Sequence, residues 1–276
     1  MQETIIEAGR SHKKYWAEIF GAKELIWILA LRDISVRYKQ TVLGLAWSVV
    51  KPISTMLVFV FFFNRIAKVG VEPGLEQHIA MVVYSGVLMW TFFSTALQQV
   101  SLSIVGNSSM VTKVYFPRLV LPIASGSVAL VDFVIGIALF IPLYFRHHFT
   151  PGIEILAVPL FVILAYFLAL GTGLIFAVFN VQYRDFGQIL PFVIQFGLFF
   201  FPVTYSSFNI ESLWWYKYYN FIPVVGLLDG FRWCMLDGLA PFKWHSFIPA
   251  VVITILVNWI AIYFFRKKEN TFVDYI

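Results

Sequence analysis

Charge is what this sequence has least of. Only 13% of its 276 residues are Asp, Glu, Lys or Arg, against about 25% in soluble globular domains. With 60% hydrophobic residues and a mean hydropathy of +0.80, a soluble fold of this size could not cover itself with polar side chains. A bilayer removes that requirement. Cysteine is nearly absent too: the single Cys234 excludes an intrachain disulfide and leaves the redox compartment unread. No segment matches the phosphate-cradling G-x-x-x-x-G-K-[ST] loop. Gly171-Thr172-Gly173 lacks the third glycine of a dinucleotide fingerprint and lies inside an apolar run, where packing is its natural role. Energy for any transport must then come from a gradient or from another subunit. The histidines, His12, His78, His147, His148 and His245, all fall in connections. Adjacent residues such as His147 and His148 do not share a helix face, so neither a metal nor any other cofactor is expected on this chain. No basic patch with interleaved aromatics stands in a polar context, which argues against nucleic acid; the net charge of +5 is better explained by membrane orientation. Residues 1–24 are broken by Glu3, Glu7, Arg10, Lys13, Lys14, Glu18 and Lys23, so no signal peptide is expected there and insertion falls to internal helices.

What the sequence has in quantity is apolar runs of membrane-crossing length, roughly 20 residues for about 30 Å of hydrocarbon. Six spans are expected, near 41–63, 79–105, 119–145, 155–180, 188–205 and 246–265. All must be helices, because an open strand edge in lipid leaves backbone groups unpaired. With a cytoplasmic N-terminus, thirteen Lys and Arg fall on the inner side and six on the outer, with Lys51 inside a span. That bias predicts both termini in the cytoplasm. The expected fold is therefore an all-α integral membrane protein, with an N-terminal segment over 1–40 and a six-helix transmembrane domain over 41–276.

Three local features stand out. In the N-terminal segment, apolar stretches around Tyr15, Trp16, Leu25 and Trp27 alternate with Lys13, Lys14, Lys23, Glu24 and Arg32. This predicts an amphipathic helix in the headgroup region, tryptophans down and lysines up; a cytoplasmic helix packed on a partner is the alternative. The fifth span is short, with Pro191 and Pro202 near its ends, and 209–237 after it is too apolar for an external loop yet too short in each half to cross. A re-entrant hairpin of two short helices accounts for it; an aromatic belt containing Trp214, Trp215 and Tyr218 is the other account. In the fourth span Ala165, Ala169, Gly173 and Ala177 recur at four-residue spacing, a ridge that lets another helix approach closely.

Two ionisable residues fall inside spans, Lys51 and Asp132. A charge at mid-bilayer costs on the order of 2.5–3.5 kcal/mol on insertion scales, which makes each a functional candidate. Lys51, just before Pro52, could snorkel inward or face a polar cavity. One carboxylate and one lysine make a thin proton relay, so a structural ion pair or hydrogen bond is the expected role for Asp132.

Four stretches stand in order over nearly the whole chain: Leu31 to Pro52, Lys113 to Pro122, Asn180 to Phe186 followed by Gln195 and Phe201 to Tyr205, and Asn220 to Pro223 with Phe231 and Arg232. Together they resemble the membrane subunit of bacterial ABC transporters that export O-antigen, teichoic acid and capsule chains. Phe201-Pro202 stands where many relatives have Ser-Pro. The resemblance implies a homodimer of six-helix subunits in the bacterial inner membrane, working with two separate ATPase subunits that bind ATP and Mg. It implies a cytoplasmic coupling helix within 106–117, carried by Met110, Val111, Thr112, Lys113, Val114 and Tyr115. It also implies a gate hairpin, with Trp214, Trp215, Tyr218 and Arg232. The coupling loop suits its role, since Gly106-Asn107-Ser108-Ser109 is a helix-start signal followed by apolar residues.

The implied cargo is a lipid-linked polysaccharide, O-antigen before teichoic acid or capsule because the 113–122 stretch is closest to that branch. Sugar rings stack their C–H faces on aromatic rings, and a conduit should hold each unit weakly. Candidates are Trp47, Phe59 and Phe63 on the first span and Phe192, Phe196, Phe199 and Tyr205 on the fifth; any of them could instead face lipid. Rival functions are export of a drug or small lipid by the same fold, and a proton-coupled secondary transporter, which would show inverted repeats. A membrane glycosyltransferase would want paired carboxylates, which Asp229 and Asp237 supply poorly.

Overall fold

A computed structural model describes residues 12–39, 46–62, 76–150, 152–183, 185–237 and 239–275, and every regular element among them is helical. Two N-terminal helices, α1 (His12–Gly21) and α2 (Lys23–Lys39), precede α3 (Ala46–Phe61). Then come the long α4 (Ile79–Gly106), the short α5 (Ser108–Lys113) and a rod in three pieces, α6 (Val120–Gly126), α7 (Val128–Ala138) and α8 (Phe140–Arg146). The second half holds α9 (Val158–Gln182), α10 (Phe186–Phe200), the one-turn α11 (Tyr216–Tyr219), α12 (Pro223–Met235), α13 (Trp244–Lys268) and the terminal α14 (Phe272–Tyr275).

Four stretches are long and apolar enough to cross a bilayer: Ile79–Gly106, Val120–Arg146, Ile153–Gln182 and Trp244–Tyr275. The first and fifth expected spans correspond to the shorter apolar helices Ala46–Phe61 and Phe186–Phe200. At 1.5 Å per residue, α10 with 15 residues extends about 22 Å, short of the hydrocarbon thickness. Its helix stops at Phe201, where the backbone turns extended, and Pro202 next in the chain cannot donate to continue it. The third span is interrupted at Ser127, which donates its hydroxyl to the Ile123 carbonyl at 2.8 Å, a side chain competing with the helix's own ladder.

The centre of the bundle is α4 against α9. The ridge of Ala165, Ala169, Gly173 and Ala177 is wholly buried, and its partner is α4: a Cβ on Gly173 would sit 2.5 Å from Val100 Cγ1 and 3.2 Å from the Leu97 carbonyl oxygen. Small residues set the distance between these two backbones. One core cluster gathers Tyr15, Ile19, Leu29, Ile104, Val111, Leu119, Val181, Phe265 and Phe272. It therefore joins the N-terminal helices, α5, the end of α4 and the C-terminal helices at one end of the bundle. Tyr15 ties the termini together directly, donating to Glu269 at 3.1 Å beneath the Arg266 guanidinium, 4.3 Å from its ring.

The N-terminal segment differs from expectation in an instructive way. It is two helices, broken at Ala22; Lys23, Glu24 and Lys39 of α2 are exposed as expected, but three other charges of α2 point into the bundle. Arg32 donates to Asn107, Asp33 accepts from Ser125 and Arg37 pairs with Asp132, while Trp27, Ile28 and Leu31 are exposed. The polar face of α2 is used to grip α4, α6 and α7. The 209–237 region is also less symmetric than a hairpin of two short helices. Its first half is irregular apart from the turn Ser207–Ile210 and α11, and its second half is α12, almost entirely buried against α4, α9 and α13.

Gly173→Leu should force α4 and α9 apart. Overpacking a filled interface costs about 1–3 kcal/mol, so the variant should lose thermal stability in detergent, whereas Leu160→Ile on the exposed side of α9 should leave it unchanged.

Candidate functional site

Three groups of side chains distinguish this bundle from an inert one. The first surrounds Asp132 on α7. Its Oδ1 accepts from Tyr38 at 2.6 Å and from the Ser48 hydroxyl; its Oδ2 faces Arg37 Nη2 at 2.5 Å. Both carboxylate oxygens are engaged, and by three residues from two other elements. Burial, reinforced by the bond to Asp132, pushes the Tyr38 phenol above its ordinary pKa, so it stays a donor. These residues form one wall of a cavity of about 460 Å³, lined also by Trp47, Lys51, Thr91, Thr95 and Phe133. Lys51, which the sequence left between snorkelling and a polar cavity, lines this cavity. The partners of Asp132 were not foreseeable: Arg37 and Tyr38 are almost a hundred positions away and lie in a segment read as interfacial.

The second group is the loop after α4. A helix does start at Ser108, as the Gly106-Asn107-Ser108-Ser109 signal suggests, but not by side-chain capping. Asn107 turns its amide backward, donating from Nδ2 to the Ser103 carbonyl at 2.8 Å, and its Oδ1 accepts from Arg32 at 2.7 Å. Of the six proposed coupling residues, Val111 is buried in the core and Met110 packs against that core. Thr112, Lys113, Val114 and Tyr115 are exposed. The apolar surface on offer is thus Val114 with Tyr115, anchored from below by Val111.

The third group lies at the opposite end. Arg232 of α12 is 1% exposed and donates to the Pro202 carbonyl at 2.9 Å, to those of Val203 and Val82 at 3.4 Å, and to Asp229 at 3.3 Å. Asp229 accepts in turn from Ser207 at 2.6 Å, which accepts from Lys243 at 2.7 Å, and Lys243 also pairs with Glu211. Burial opposes the charge on Lys243, but Asp229, Glu211 and Tyr216 outweigh it and raise the ammonium's pKa above its usual value. Gly86 makes room for this arrangement: a Cβ there would meet the Val203 carbonyl oxygen at 1.9 Å and Arg232 Nη2 at 2.9 Å. Of the other expected gate residues, Trp214 and Tyr218 are exposed, and Trp215 sets its ring edge-on to Tyr219 at 5.5 Å.

The expected aromatic path is partly assembled. Phe59 of α3 meets Phe199 of α10 at 5.9 Å between ring centroids, and Phe192 and Phe196 are 4.4 Å apart. Phe192, Phe196, Phe199 and Phe200 form an exposed strip along α10 beside a groove of about 510 Å³. Trp47 is elsewhere, in the Asp132 cavity, and Tyr205 is tied down, donating to the Phe200 carbonyl at 2.9 Å. Phe63 lies outside the described residues. Sequence reasoning also missed that His147 has His78 as its ring neighbour, at 5.4 Å; burial, then the nearby His78 and Arg146, lower its pKa.

Apolar helices of spanning length, a buried charged network at one end and an amphipathic connection exposed at the other define a multi-pass membrane transport subunit. The chain belongs to the ABC-2 type transporter family, whose family model matches residues 24–236, well over half its length. Members are the membrane subunits of ABC transporters and work with ATPase subunits; they are not themselves the ATPase. Among curated proteins the chain is similar to two O-antigen export system permease proteins RfbA of Klebsiella pneumoniae, 23% identical over 253 and 255 residues, covering 91% of this chain and 94% of each relative. It is also similar to the protein of the same name from Myxococcus xanthus, 23% identical over 260 residues, with 94% of this chain and 98% of that one covered.

Removing the Arg232 side chain would strand Asp229. Breaking a buried pair from one side costs about 3–5 kcal/mol, whereas replacing both partners by apolar groups is often close to neutral. Arg232→Ala should therefore lower the melting temperature sharply, and the double variant Arg232→Met with Asp229→Leu should recover only part of the loss, because the Pro202 and Val203 carbonyls stay without their donor and Ser207 loses its acceptor.

Proposed function

We propose that this chain is the channel-forming subunit of an ATP-driven exporter that moves a lipid-linked polysaccharide, with O-antigen the first candidate, across the bacterial inner membrane. The observation that carries this is the end-to-end, in-order similarity to O-antigen export permeases, with over nine-tenths of both chains aligned. In this reading two copies face each other along α3 and α10, where the exposed phenylalanine strip offers stacking surfaces for sugar rings and a path that is adhesive without being tight. Two ATPase subunits dock at the end where both termini and α5 lie, against Val114 and Tyr115. That end is cytoplasmic, in keeping with the excess of Lys and Arg in the connections assigned to it. The hairpin region, latched by Arg232, forms the outer gate.

A proton-coupled alternative gains nothing from the geometry. The carboxylate it would use, Asp132, has both oxygens engaged, one of them by an arginine.

Two measurements test the proposal. In cells lacking the native chain, the wild-type gene should restore surface polysaccharide. Tyr115→Glu should abolish it with the amount of inserted chain unchanged, because a charge on the docking knob prevents ATPase binding or uncouples hydrolysis. Normal export by Tyr115→Glu would remove this loop from the mechanism. Independently, with Cys234 replaced by Ala, a cysteine placed beside His147 should react with an impermeant maleimide added outside, and one beside Lys267 should not. The reverse pattern would invert the orientation.

A further inference from the structure

Two very short helices meet at the end of the bundle where α1 and α13 are tied together. α5 has six residues and α14 has four, and neither length is stable as a helix by itself. Each takes its place from what it packs on. α5 packs against α4, the helix it follows, and against α14, which is distant in sequence.

α13 needs nothing beyond Lys268 to end well. Arg266, Lys267 and Lys268 occupy its last turn, where cations suit the helix dipole. The chain nevertheless turns back at Glu269–Thr271, with Thr271 donating its hydroxyl to the Lys268 carbonyl at 2.8 Å, and inserts Phe272. That ring is fully buried. It stands edge-on to Phe265 at 5.3 Å between centroids and shares one core cluster with Tyr15, Val111 and Val181. Val273, Asp274 and Tyr275 beside it are exposed. Tyr15 of α1 closes over the turn through its bond to Glu269. Phe272 is thus the one side chain of α14 committed to the core on which Val111 and Met110 rest.

We infer that Phe272 is a positioning residue for the coupling loop. Its ring fixes the height of Val111, and with it that of Val114 and Tyr115 on the exposed side. A push on α5 then passes through Phe272 to Phe265 and α13, because close-packed interiors are barely compressible and transmit displacement. A six-residue helix over an empty floor would yield to a docked partner instead of moving the spans. The inference rests on the export reading above, in which α5 receives the ATPase subunit, and adds to it the element that holds α5 under that load.

The test uses the full-length chain with Cys234 replaced by Ala and Val111→Cys as a reporter, in inverted membrane vesicles treated with a fluorescent maleimide. Labelling of this parent should be slow, because position 111 is buried. Phe272→Ala should speed it about tenfold or more, since the loss of a buried phenyl ring exceeds the free-energy equivalent of a factor of ten. Phe272→Leu should stay near the parent rate. Should Phe272→Ala fail to insert, Phe272→Val is read in its place. Phe140→Ala removes an equally buried ring from the other core cluster; it should lower the melting temperature and leave the labelling rate alone. Unchanged labelling with Phe272→Ala, or equal acceleration by Phe140→Ala, overturns the inference. In complemented cells, surface polysaccharide per inserted chain should fall severalfold with Phe272→Ala and recover with Phe272→Leu. Normal export by a Phe272→Ala chain whose α5 is loosened would reduce the ring to packing, while the exporter reading stands. If the wild-type chain restores no polysaccharide, the exporter reading falls, and the labelling rates still decide whether Phe272 holds α5.

Discussion

A carboxylate in the middle of an apolar helix must be neutralised, and the way Asp132 is neutralised dictates where the N-terminal helices go. Its partners come from the last turn of α2 and the first turn of α3. Without them the carboxylate would be a buried charge with no compensation, so the fold is complete only with α2 drawn onto α6 and α7. This is why Arg32, Asp33 and Arg37 of α2 point into the bundle. Trp27, Ile28 and Leu31 are left exposed on its other side. A helix pinned in this way by ion pairs and hydrogen bonds is an integral part of the bundle.

The opposite end solves a similar problem with different means. Arg232 is inserted among carbonyls, two of them beyond the end of a helix. Pro202 and Val203 follow the end of α10, where no helical donor reaches their oxygens, and Val82 in the first turn of α4 adds a third acceptor. An arginine there satisfies several acceptors at once, which a lysine could not do with one compact ammonium. The network continues through Asp229, Ser207 and Lys243 and so staples the entry of α13 to the turn before α11. A region held by one connected polar network moves as a unit, because partial rupture would leave buried charges unpaired.

The helical content, the small-residue ridge of α9 and the start of α5 were legible in the sequence because each depends on local periodicity or spacing. The ridge even announced a close approach, although only the fold names α4 as the partner. What was not legible depends on contacts between distant segments. Nothing local in Arg32, Asp33 or Arg37 separates a solvated charge from one aimed at Asn107, Ser125 or Asp132. The extra break at Ala22 was hidden because alternating charged and apolar residues suit one helix or two. Arg232 was marked only by resemblance, since a lone arginine on a short helix says nothing of the carbonyls waiting for it. The aromatic strip was half legible: the spacing of Phe192, Phe196 and Phe199 puts them on one side of α10, but the same composition gave no reason to set Trp47 and Tyr205 apart from them.

The C-terminal half of α2 joins regions that the sequence treated as unrelated. Arg32 holds Asn107, the residue between α4 and α5, and Arg37 holds Asp132 in the cavity wall. The separation is five residues, about one and a half helical turns and some 8 Å of rigid rise. A hydrogen-bonded helix does not shorten over that distance, so α5 cannot tilt while keeping Asn107 on Arg32 unless α2 moves with it. Movement of α2 in turn displaces Arg37 and its pairing with Asp132. The connection after α4 and the Asp132 cavity therefore share one stiff element, α2, whose Arg32, Asp33 and Arg37 the fold turns inward.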